Sequence, residues 1–249
     1  MLKQLIRKLA HRMLGFDNYL FLFSWISGLR MRFTGTEKEF RYFVGLLPES
    51  GAILDIGANI GIMSVALAKR RPNSLIYAFE PMPANLKALK RILRYYGLKQ
   101  VQVMPWALGN QNGLVEMLMP VVDQTMMQGY SHVIEPQHAA QPGARCTVPM
   151  HRLDDIAELK EINHISAIKI DVENHEYFVL KGGECLIRQH QPVIYCELWN
   201  DQRRVDCIRL LEGLGYRTMV YQQDVLVDFA DQPVVNFFFI PKDRKAAAV

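Results

Sequence analysis

Short apolar runs alternate with longer stretches of helical periodicity along most of the chain, and this alternation is the feature that most constrains its fold. Two strands of one sheet that are separated by a helix run parallel, because the helix carries the chain back to the edge where the first strand began. The predicted strands of this series are Ala52 to Ile56, Leu75 to Phe79, Val101 to Met104, Ile165 to Ile170 and Pro192 to Cys196. The pattern therefore predicts an α/β fold with helices on both faces of a mostly parallel sheet.

Helical patterns separate these strands, and two closely spaced strands end the series. The helices are predicted over Ile60 to Arg70, Ala84 to Tyr96, His175 to His190 and a segment ending at Gly213. Tyr216 to Tyr221 and Val234 to Ile240 are joined by a link too short for a helical crossover, so we expect them to pair antiparallel. The predicted sheet is doubly wound and seven-stranded, with an antiparallel last strand.

The chain divides into a main domain, 47–241, an N-terminal helical extension, 1–46, and a short tail, 242–249. Leu114 to Met119 and Cys146 to Met150 are predicted as further strands on either side of a loop, 121–144. This loop is long for a compact domain, so we interpret it as mobile or functional and favour a substrate lid.

The N-terminal extension begins with an amphipathic basic pattern that places Leu2, Leu5, Ile6, Leu9 and Met13 at helical spacing. An aromatic-rich stretch from Phe16 to Trp25 follows. We favour the interpretation that this helix caps the core or a substrate cleft. Peripheral contact with a membrane surface is the alternative.

Composition excludes several classes of protein. The 249 residues are half apolar, which suits one domain with extensions, and the formal charge of +4 is too small to predict a nucleic-acid partner. The four cysteines lack zinc-site spacing and are expected to be reduced thiols. Because there is no signal-peptide pattern and no run of about 18 apolar residues, we expect a soluble, cytoplasmic protein whose oligomeric state is open.

A glycine-containing turn, Asp55-Ile-Gly-Ala-Asn-Ile-Gly61, joins the first predicted strand to the first helix. Gly57 allows a sharp turn close to a ligand, and Gly61 allows close packing where the helix starts. The N–H groups of the helix start suit a carboxylate or phosphate. Asp55 can accept a hydrogen bond from an ammonium group.

Glu80 closes the second strand, where an acidic side chain can bind both hydroxyls of a ribose. A dinucleotide-binding turn would have a glycine at the position of Asn59, which weakens the prediction of a pyrophosphate ligand. S-adenosylmethionine instead combines an amino acid end with an adenosine end. The strand, turn, helix and Glu80 together favour this cofactor.

The chain resembles the FkbM family of methyltransferases in an ordered set of motifs between Leu47 and Phe239. They are Asp55 to Gly61, Phe79-Glu-Pro81, Ala107-Leu-Gly109, Leu153-Asp154, Lys169-Ile-Asp-Val-Glu173, Glu176 and Val179-Leu-Lys-Gly182. The resemblance implies a Rossmann-like class I methyltransferase fold, S-adenosylmethionine as methyl donor, and O-methylation of a hydroxyl on a sugar, lipid-linked saccharide or secondary metabolite.

The same resemblance implies the roles of individual residues in the cofactor site. Asp55, Gly57, Asn59 and Gly61 match the amino acid end of the cofactor site, Glu80 the ribose, and Ala107 the region that lines adenine. The family commonly has glycine where this chain has Asn174. Asparagine tolerates positive φ better than most residues, so we expect the turn to survive.

Methyl transfer requires the acceptor atom to lie about 3–3.5 Å from the methyl carbon, and its proton must be removed. Ligands bind at the carboxyl ends of parallel strands, which makes Asp171, Glu173 and Glu197 the candidate catalytic residues. Each carboxylate can instead cap a helix. Three histidines, His132, His151 and His175, are further candidates for a general base.

The sequence does not identify a definite metal ligand. Mg²⁺ is a possible cofactor, because an oxygen-rich set that can hold it is resembled by Asp171, Glu197, Asn200 and Asp201. Two other functions stay open. One is an NAD(P)-dependent oxidoreductase on a similar sheet, and the other is a non-catalytic module that docks to a membrane or partner. RNA methylation is disfavoured, because basic and aromatic residues are not interleaved.

Overall fold

The computed structural model describes residues 10–33, 38–122, 125–136 and 140–244. Most of the amphipathic helix predicted at the start of the chain falls on residues 1–9, outside the described residues. The described helices are α1 (Phe16–Phe33), α2 (Lys38–Leu46), α3 (Ile62–Arg70), α4 (Pro83–Tyr96), α5 (Ala157–Lys160), α6 (Glu176–Lys181), α7 (Glu184–His190) and α8 (Gln202–Gly213).

Two sheets contain the described strands. In chain order they are β1 (Ala52–Ile56), β2 (Ile76–Phe79), β3 (Val101–Met104), β4 (Ala107–Leu108), β5 (Gly113–Val122), β6 (Thr125–Met126), β7 (His132–Val133), β8 (Gly143–His151), β9 (Ile165–Ile170), β10 (Val193–Glu197), β11 (Tyr216–Gln222), β12 (Val225–Asp228) and β13 (Asn236–Pro241). The alternation of strands and helices predicted from the sequence is confirmed.

The main sheet has eight strands in the order β12-β11-β13-β10-β9-β1-β2-β3. The five strands from β10 to β3 are parallel, and β13 lies antiparallel between β10 and β11. The predicted α/β, Rossmann-like architecture with an antiparallel last strand is therefore confirmed. The carboxyl ends of β1, β2 and β9 meet at one edge of the sheet, which is where the site is built.

The predicted count of seven strands is wrong, because β12 adds an eighth. β12 forms a hairpin with β11 in the segment that we had assigned to a polar link. The two turn residues, Gln223 and Asp224, both have positive φ, 49° and 66°. Such a turn usually contains glycine or asparagine, so this sequence did not indicate the hairpin.

The second sheet has five strands, with β4, β8, β5 and β6 in order and β7 paired with β5. Its long pair, β5 and β8, is antiparallel from Gly113 opposite Met150 to Pro120 opposite Gly143. Most of the predicted loop lies between β5 and β8 and contains β6, β7 and a 3₁₀ turn at Gln128–Tyr130, with 123–124 and 137–139 outside the described residues. This sheet places a layer of backbone beside the carboxyl ends of β1 and β2.

The single helix predicted over His175 to His190 is wrong, because the chain forms two helices, α6 and α7, that are separated at Gly182 and Gly183. A Cβ atom on Gly182 would lie 1.9 Å from the carbonyl oxygen of Gly109, and one on Gly183 would lie 2.8 Å from Leu153. The break allows the end of α6 to pack directly on the backbone that follows β4.

The extension that precedes β1 packs on the chain's own core. Leu20 of α1 is fully buried in a cluster with Ile60 and Ala88. Ser24 donates a hydrogen bond to the carbonyl oxygen of Ile60 at 2.8 Å. Within the described residues, no helix combines the length and the apolar character that crossing a bilayer requires.

We expect Gly61→Ala to destabilise the protein more than Gly97→Ala does. Both glycines have positive φ, 87° and 65°, so each substitution costs about 1–2 kcal/mol of backbone strain. At Gly61 the new methyl group would also lie 2.6 Å from Leu89 and 3.0 Å from Ile92 of α4, whereas at Gly97 it meets nothing. Overpacking adds about 1–3 kcal/mol, measurable by urea unfolding. An equal loss of unfolding free energy in the two variants would contradict the close packing of Gly61 against α4.

Candidate active site

A cleft of about 600 Å³ lies at the carboxyl ends of β1, β2 and β9 and is covered by residues of the loop between β5 and β8. The predicted site residues that line it are Gly57, Asn59, Glu80, Ala107, Asp171 and Glu173. Other residues that line the cleft include Asn85, Trp106, Gln128, Gly129 and His175. The structure thus brings six of the nine predicted site residues to one cavity.

The glycine turn is bonded mainly to the end of β2. The N–H groups of Gly57 and Ala58 donate to the carbonyl oxygen of Phe79 at 3.0 and 2.9 Å, and the N–H of Asn59 donates to Glu80 at 2.8 Å. Each of these three N–H groups already has a protein acceptor, so the ligand anion expected at the helix start would have to bind N–H groups further along, where the helix begins at Ile62. A Cβ atom on Gly57 would lie 1.8 Å from the carbonyl oxygen of Asp171, so glycine is required by the close approach of two backbones.

Glu80 is 4% exposed and lies between the turn and the start of α4. Its Oε2 accepts from the N–H of Asn59, while its Oε1 accepts from the N–H of Met82 at 2.8 Å and from Asn85 Nδ2 at 3.3 Å. Burial raises the pKa of Glu80 to about 7, despite these hydrogen bonds. The carboxylate is thus held rigidly. Oε1 already accepts two hydrogen bonds, whereas Oε2 accepts one and keeps acceptor capacity for a ligand hydroxyl.

Asp55 is fully buried at the end of β1 and does not line the cleft. It accepts a hydrogen bond from Ser64 Oγ and lies 3.5 Å from Lys169 Nζ. Lys169 also lies 3.6 Å from Asp171 and donates to the carbonyl oxygen of Gly57 at 2.9 Å. Asp55 therefore shapes the turn from behind, through Lys169 and Ser64.

The two remaining residues predicted for the cofactor site occupy different positions. Gly61 does not line the cleft and packs against α4, as its small size predicted. Ala107 begins β4, is 5% exposed and lines the cleft beside Trp106. The Trp106 ring packs on His151 at a centroid distance of 4.6 Å, which gives this side of the cleft an aromatic wall.

The loop that follows β9 has two consecutive residues of positive φ, Glu173 at 53° and Asn174 at 68°. The expectation that asparagine preserves this turn is confirmed. Glu176 fixes the loop by accepting from the N–H groups of Val172 and Asn174 at 3.1 and 3.2 Å. Arg203 of α8 donates to the Asn174 carbonyl oxygen and pairs with Glu135 of the covering loop.

Glu173 lines the cleft with a proton affinity well above that of an ordinary glutamate. Burial raises its pKa to about 8, and the charges of Asp171, Glu197 and Glu176 add to the effect. Glu197, at the end of β10, is half-buried and does not line the cleft. Two of the three predicted catalytic carboxylates therefore face the cavity, and the third acts on it through its charge.

The Mg²⁺ ligand set suggested by the sequence is not supported. Arg204 binds Asn200 Oδ1 at 3.3 Å through its side chain, and its backbone N–H donates to Asp201 at 3.2 Å, so that Asp201 caps α8. Both oxygens are thereby engaged away from the cleft. Among the described residues, no group of three or more histidine, cysteine, aspartate and glutamate side chains is arranged to hold a metal ion.

His175 is the one of the three candidate histidines that lines the cleft. Both of its ring nitrogens are buried and have no hydrogen-bond partner among the described residues. Burial and, to a lesser extent, the nearby Arg203 charge lower the pKa of His175 to about 4. The imidazole is therefore neutral at physiological pH.

Three amide side chains line the cleft, and the sequence predicted only one of them. Asn59 was predicted, but Asn85 and Gln128 were missed, because buried amides of a helix and a loop carry no sequence pattern. The side-chain oxygens of all three are buried without a hydrogen-bond partner among the described residues. Together with Glu80, Asp171 and Glu173, they give the cleft an excess of hydrogen-bond acceptors.

A second, larger cavity of about 1400 Å³ adjoins the cleft and is bounded on one side by α1. Phe23, Ser27 and Arg30 of α1 line it. Residues shared by both cavities are Gly57, Asn59, Gln128, Gly129 and Asp171. Asp171 thus stands at the junction of the two cavities.

Comparison with known proteins identifies the family of this chain. Residues 55–218 match the family model described as Methyltransferase FkbM domain. The matched segment starts in the glycine turn and ends in β11, so it contains every residue assigned above to the cofactor or catalytic site.

Curated relatives are about one quarter identical to this chain over the residues that align. Methyltransferase 1 of Beauveria bassiana is 26% identical over 153 residues, which cover 57% of this chain and 61% of that protein. The 31-O-demethyl-FK506 methyltransferase FkbM of Streptomyces tacrolimicus is 26% identical over 211 residues, covering 75% and 79%. The 2-O-methyltransferase NoeI of Sinorhizobium fredii is 28% identical over 162 residues, covering 61% and 65%. The chain spans less than two thirds of the Beauveria and Sinorhizobium proteins.

A solved structure supports the fold. The crystal structure of a methyltransferase FkbM from Methylobacillus flagellatus aligns with a TM-score of 0.52 at 20% identity. The alignment covers 78% of this chain and 45% of that one.

We expect the free energy of unfolding to fall between pH 7 and pH 8 by about 1 kcal/mol more in the wild type than in Glu173→Gln. A carboxyl whose pKa is about 8 in the folded protein, against 4.5 ordinarily, stabilises the fold fully below pH 4.5 and loses that effect as pH rises through 8. Glu80 and Glu176 have pKa values of about 7, so the stabilisation that their protonated forms give to the fold is mostly lost by pH 7. Urea unfolding at both pH values measures the difference. Exposed Glu158→Gln is the control, and an unchanged pH dependence in Glu173→Gln would refute the assignment.

Proposed function

Because this chain belongs to the methyltransferase FkbM domain family, we propose that it transfers a methyl group from S-adenosylmethionine to an oxygen of a small molecule. The acceptor we favour is a hydroxyl on a sugar, a lipid-linked saccharide or a secondary metabolite. The names of the Streptomyces and Sinorhizobium relatives, which specify O-methylation, support this choice of acceptor atom.

The observation that carries the proposal is the excess of acceptors in the cleft. Three buried amide oxygens without partners and three carboxyl groups line it. S-adenosylmethionine is a cationic ligand that presents ammonium, hydroxyl and amino hydrogens, so it supplies the donors that these acceptors lack. Nicotinamide dinucleotides instead carry a pyrophosphate, which needs free N–H groups or cations, and the N–H groups of Gly57, Ala58 and Asn59 are already bonded. The oxidoreductase alternative is therefore disfavoured.

Different residues of the cleft would bind different parts of the cofactor. Glu80 would accept from the ribose hydroxyls, and Ala107 with Trp106 would form the wall against adenine. The turn at Gly57 and Asn59 would hold the amino acid end, which Asp55 supports from behind through Lys169. Asp171, at the junction of the cavities, would lie beside the positive sulfonium.

S-adenosylmethionine supplies, when bound, an electrophilic methyl group. When the acceptor oxygen attacks the methyl carbon, a C–O bond forms while the C–S bond breaks, and the proton of the acceptor hydroxyl must leave. We assign that proton to the carboxylate of Glu173, whose pKa of about 8 makes it a stronger base than an ordinary glutamate. Asp171 orients the acceptor hydroxyl, and Glu197 maintains the proton affinity of Glu173 through its charge.

The second cavity is the place we propose for the acceptor. An acceptor atom must come within about 3–3.5 Å of the methyl carbon, so its cavity must open on the cleft. The second cavity does so at Asp171. A purely non-catalytic docking module would have no use for this arrangement. Cytoplasmic location and membrane contact through the N-terminal segment remain predictions.

We expect Glu80→Gln to weaken S-adenosylmethionine binding by roughly 10- to 100-fold, because hydrogen bonds to a charged acceptor contribute about 1.5–3 kcal/mol. Affinity of the wild type should also rise from pH 6 to pH 8, because a pKa of about 7 means that Glu80 ionises over this range. Calorimetry at three pH values measures both effects. Asp228→Asn on β12, an exposed residue paired with Arg217, is the matched control. Failure of the wild type to bind S-adenosylmethionine would overturn the proposed function.

We expect Glu173→Gln to lower kcat by about 10²-fold or more while leaving cofactor affinity unchanged, because the proton acceptor is lost. In the wild type kcat should rise with pH through about 8, as Glu173 loses its proton. Transfer of a labelled methyl group to a panel of sugars, alkyl glycosides and hydroxylated metabolites provides the assay. Retention of the same pH profile in Glu173→Gln would assign the proton to another residue.

A further inference from the structure

The segment between β6 and β7, residues 127–131, forms a wall between the two cavities. Its 3₁₀ turn at Gln128–Tyr130 is closed by the N–H of Tyr130, which donates to the carbonyl oxygen of Met127 at 3.0 Å. Gln128 and Gly129 line both cavities. The position of this loop therefore determines how the cleft and the second cavity are separated.

The backbone of Gln128 is connected to the cofactor-binding carboxylate by one amide group. Asn85 Nδ2 lies 3.4 Å from the Gln128 carbonyl oxygen and 3.3 Å from Glu80 Oε1. Ser131 Oγ donates to the same carbonyl oxygen at 3.0 Å. These contacts hold Gln128 on the Glu80 side of the cleft, where the ribose is expected.

The side chain of Gln128 is only 7% exposed, although it belongs to a loop. Its Oε1 atom is buried and has no hydrogen-bond partner among the described residues. Buried amide oxygens are nearly always bonded in folded proteins, so an unbonded one in the wall of a cavity points to a ligand that carries hydrogens. The backbone contacts keep the residue in place, so the side chain is available for such a ligand.

We propose that Gln128 binds the adenosine part of the methyl donor, accepting a hydrogen bond at Oε1 from a hydroxyl or amino group. This inference rests on the proposed function and extends it to a residue outside the glycine turn and the strand ends. Because Gln128 also belongs to the wall of the second cavity, a bound methyl donor would contact the residue that separates its own cleft from that cavity.

The test compares two ligands that share adenosine. S-adenosylhomocysteine carries the amino acid end, whereas 5′-methylthioadenosine lacks it. In Gln128→Met, which keeps the length of the side chain and removes its polar atoms, both ligands should bind about five- to tenfold more weakly. Gln189→Met, at an exposed position of α7, is the matched control and should bind both ligands as the wild type does.

A second variant and a second measurement guard against a folding defect. Gln128→Asn keeps the amide but shortens the side chain, so it should weaken both ligands to a similar extent. Hydrogen exchange of the peptide covering residues 127–131 should slow when S-adenosylhomocysteine is added to the wild type and should slow much less in either variant. Thermal unfolding in the absence of ligand checks that each variant is folded.

The outcomes separate this inference from the proposed function. If the wild type binds neither ligand, the proposed function fails. If it binds both and the Gln128 variants bind them equally well, the function stands and the role of Gln128 is refuted. Weaker binding of S-adenosylhomocysteine alone would also refute it, since Gln128 would then contact the amino acid end.

Discussion

Lys169 brings a positive charge into the middle of the sheet, where only 3% of its surface is exposed. Burial alone would lower its pKa, but Asp171 and Asp55 outweigh burial and the net shift is upward, so the charge is retained. The ammonium group lies 3.5 Å from Asp55 and 3.6 Å from Asp171, and donates to the carbonyl oxygen of Gly57 at 2.9 Å. One buried cation therefore joins β1, β9 and the glycine turn. The cleft exists because these three backbone segments are held together at one point, and a buried carboxylate without that cation would be costly.

Much of the architecture could be predicted, because apolar periodicity follows directly from burial. Strands β3 and β9 begin and end at the residues predicted, and the last strand pairs antiparallel as expected. Gly57, Glu80 and Asp171 could be placed at one edge of the sheet from their positions after predicted strands. Lys169 carried a signal that we did not use, since a lysine inside the apolar run Ile165 to Ile170 requires a buried partner.

The remaining features depend on contacts between distant segments. Nothing local in His175 to His190 shows that Gly182 will meet the backbone of Gly109, yet that contact divides the helix in two. The N–H groups of Gly57, Ala58 and Asn59 are bonded to Phe79 and Glu80, which no local sequence pattern indicates. Gln128 lies in a polar stretch that the sequence predicts as a substrate lid, but nothing in its composition distinguishes this residue from its neighbours. Such residues acquire their roles from the three-dimensional neighbours that the fold gives them.

The second sheet has a consequence for how proteins of this design diversify. Its edge strand, β4, begins with Ala107 in one wall of the cleft, whereas the segment between β6 and β7 covers the opening. Insertions or deletions beyond the paired part of β5 and β8 would leave β4 and the glycine turn undisturbed. Selection for a new methyl acceptor can therefore act on the parts of this connection outside residues 127–131, because that segment contributes Gln128 to the cleft.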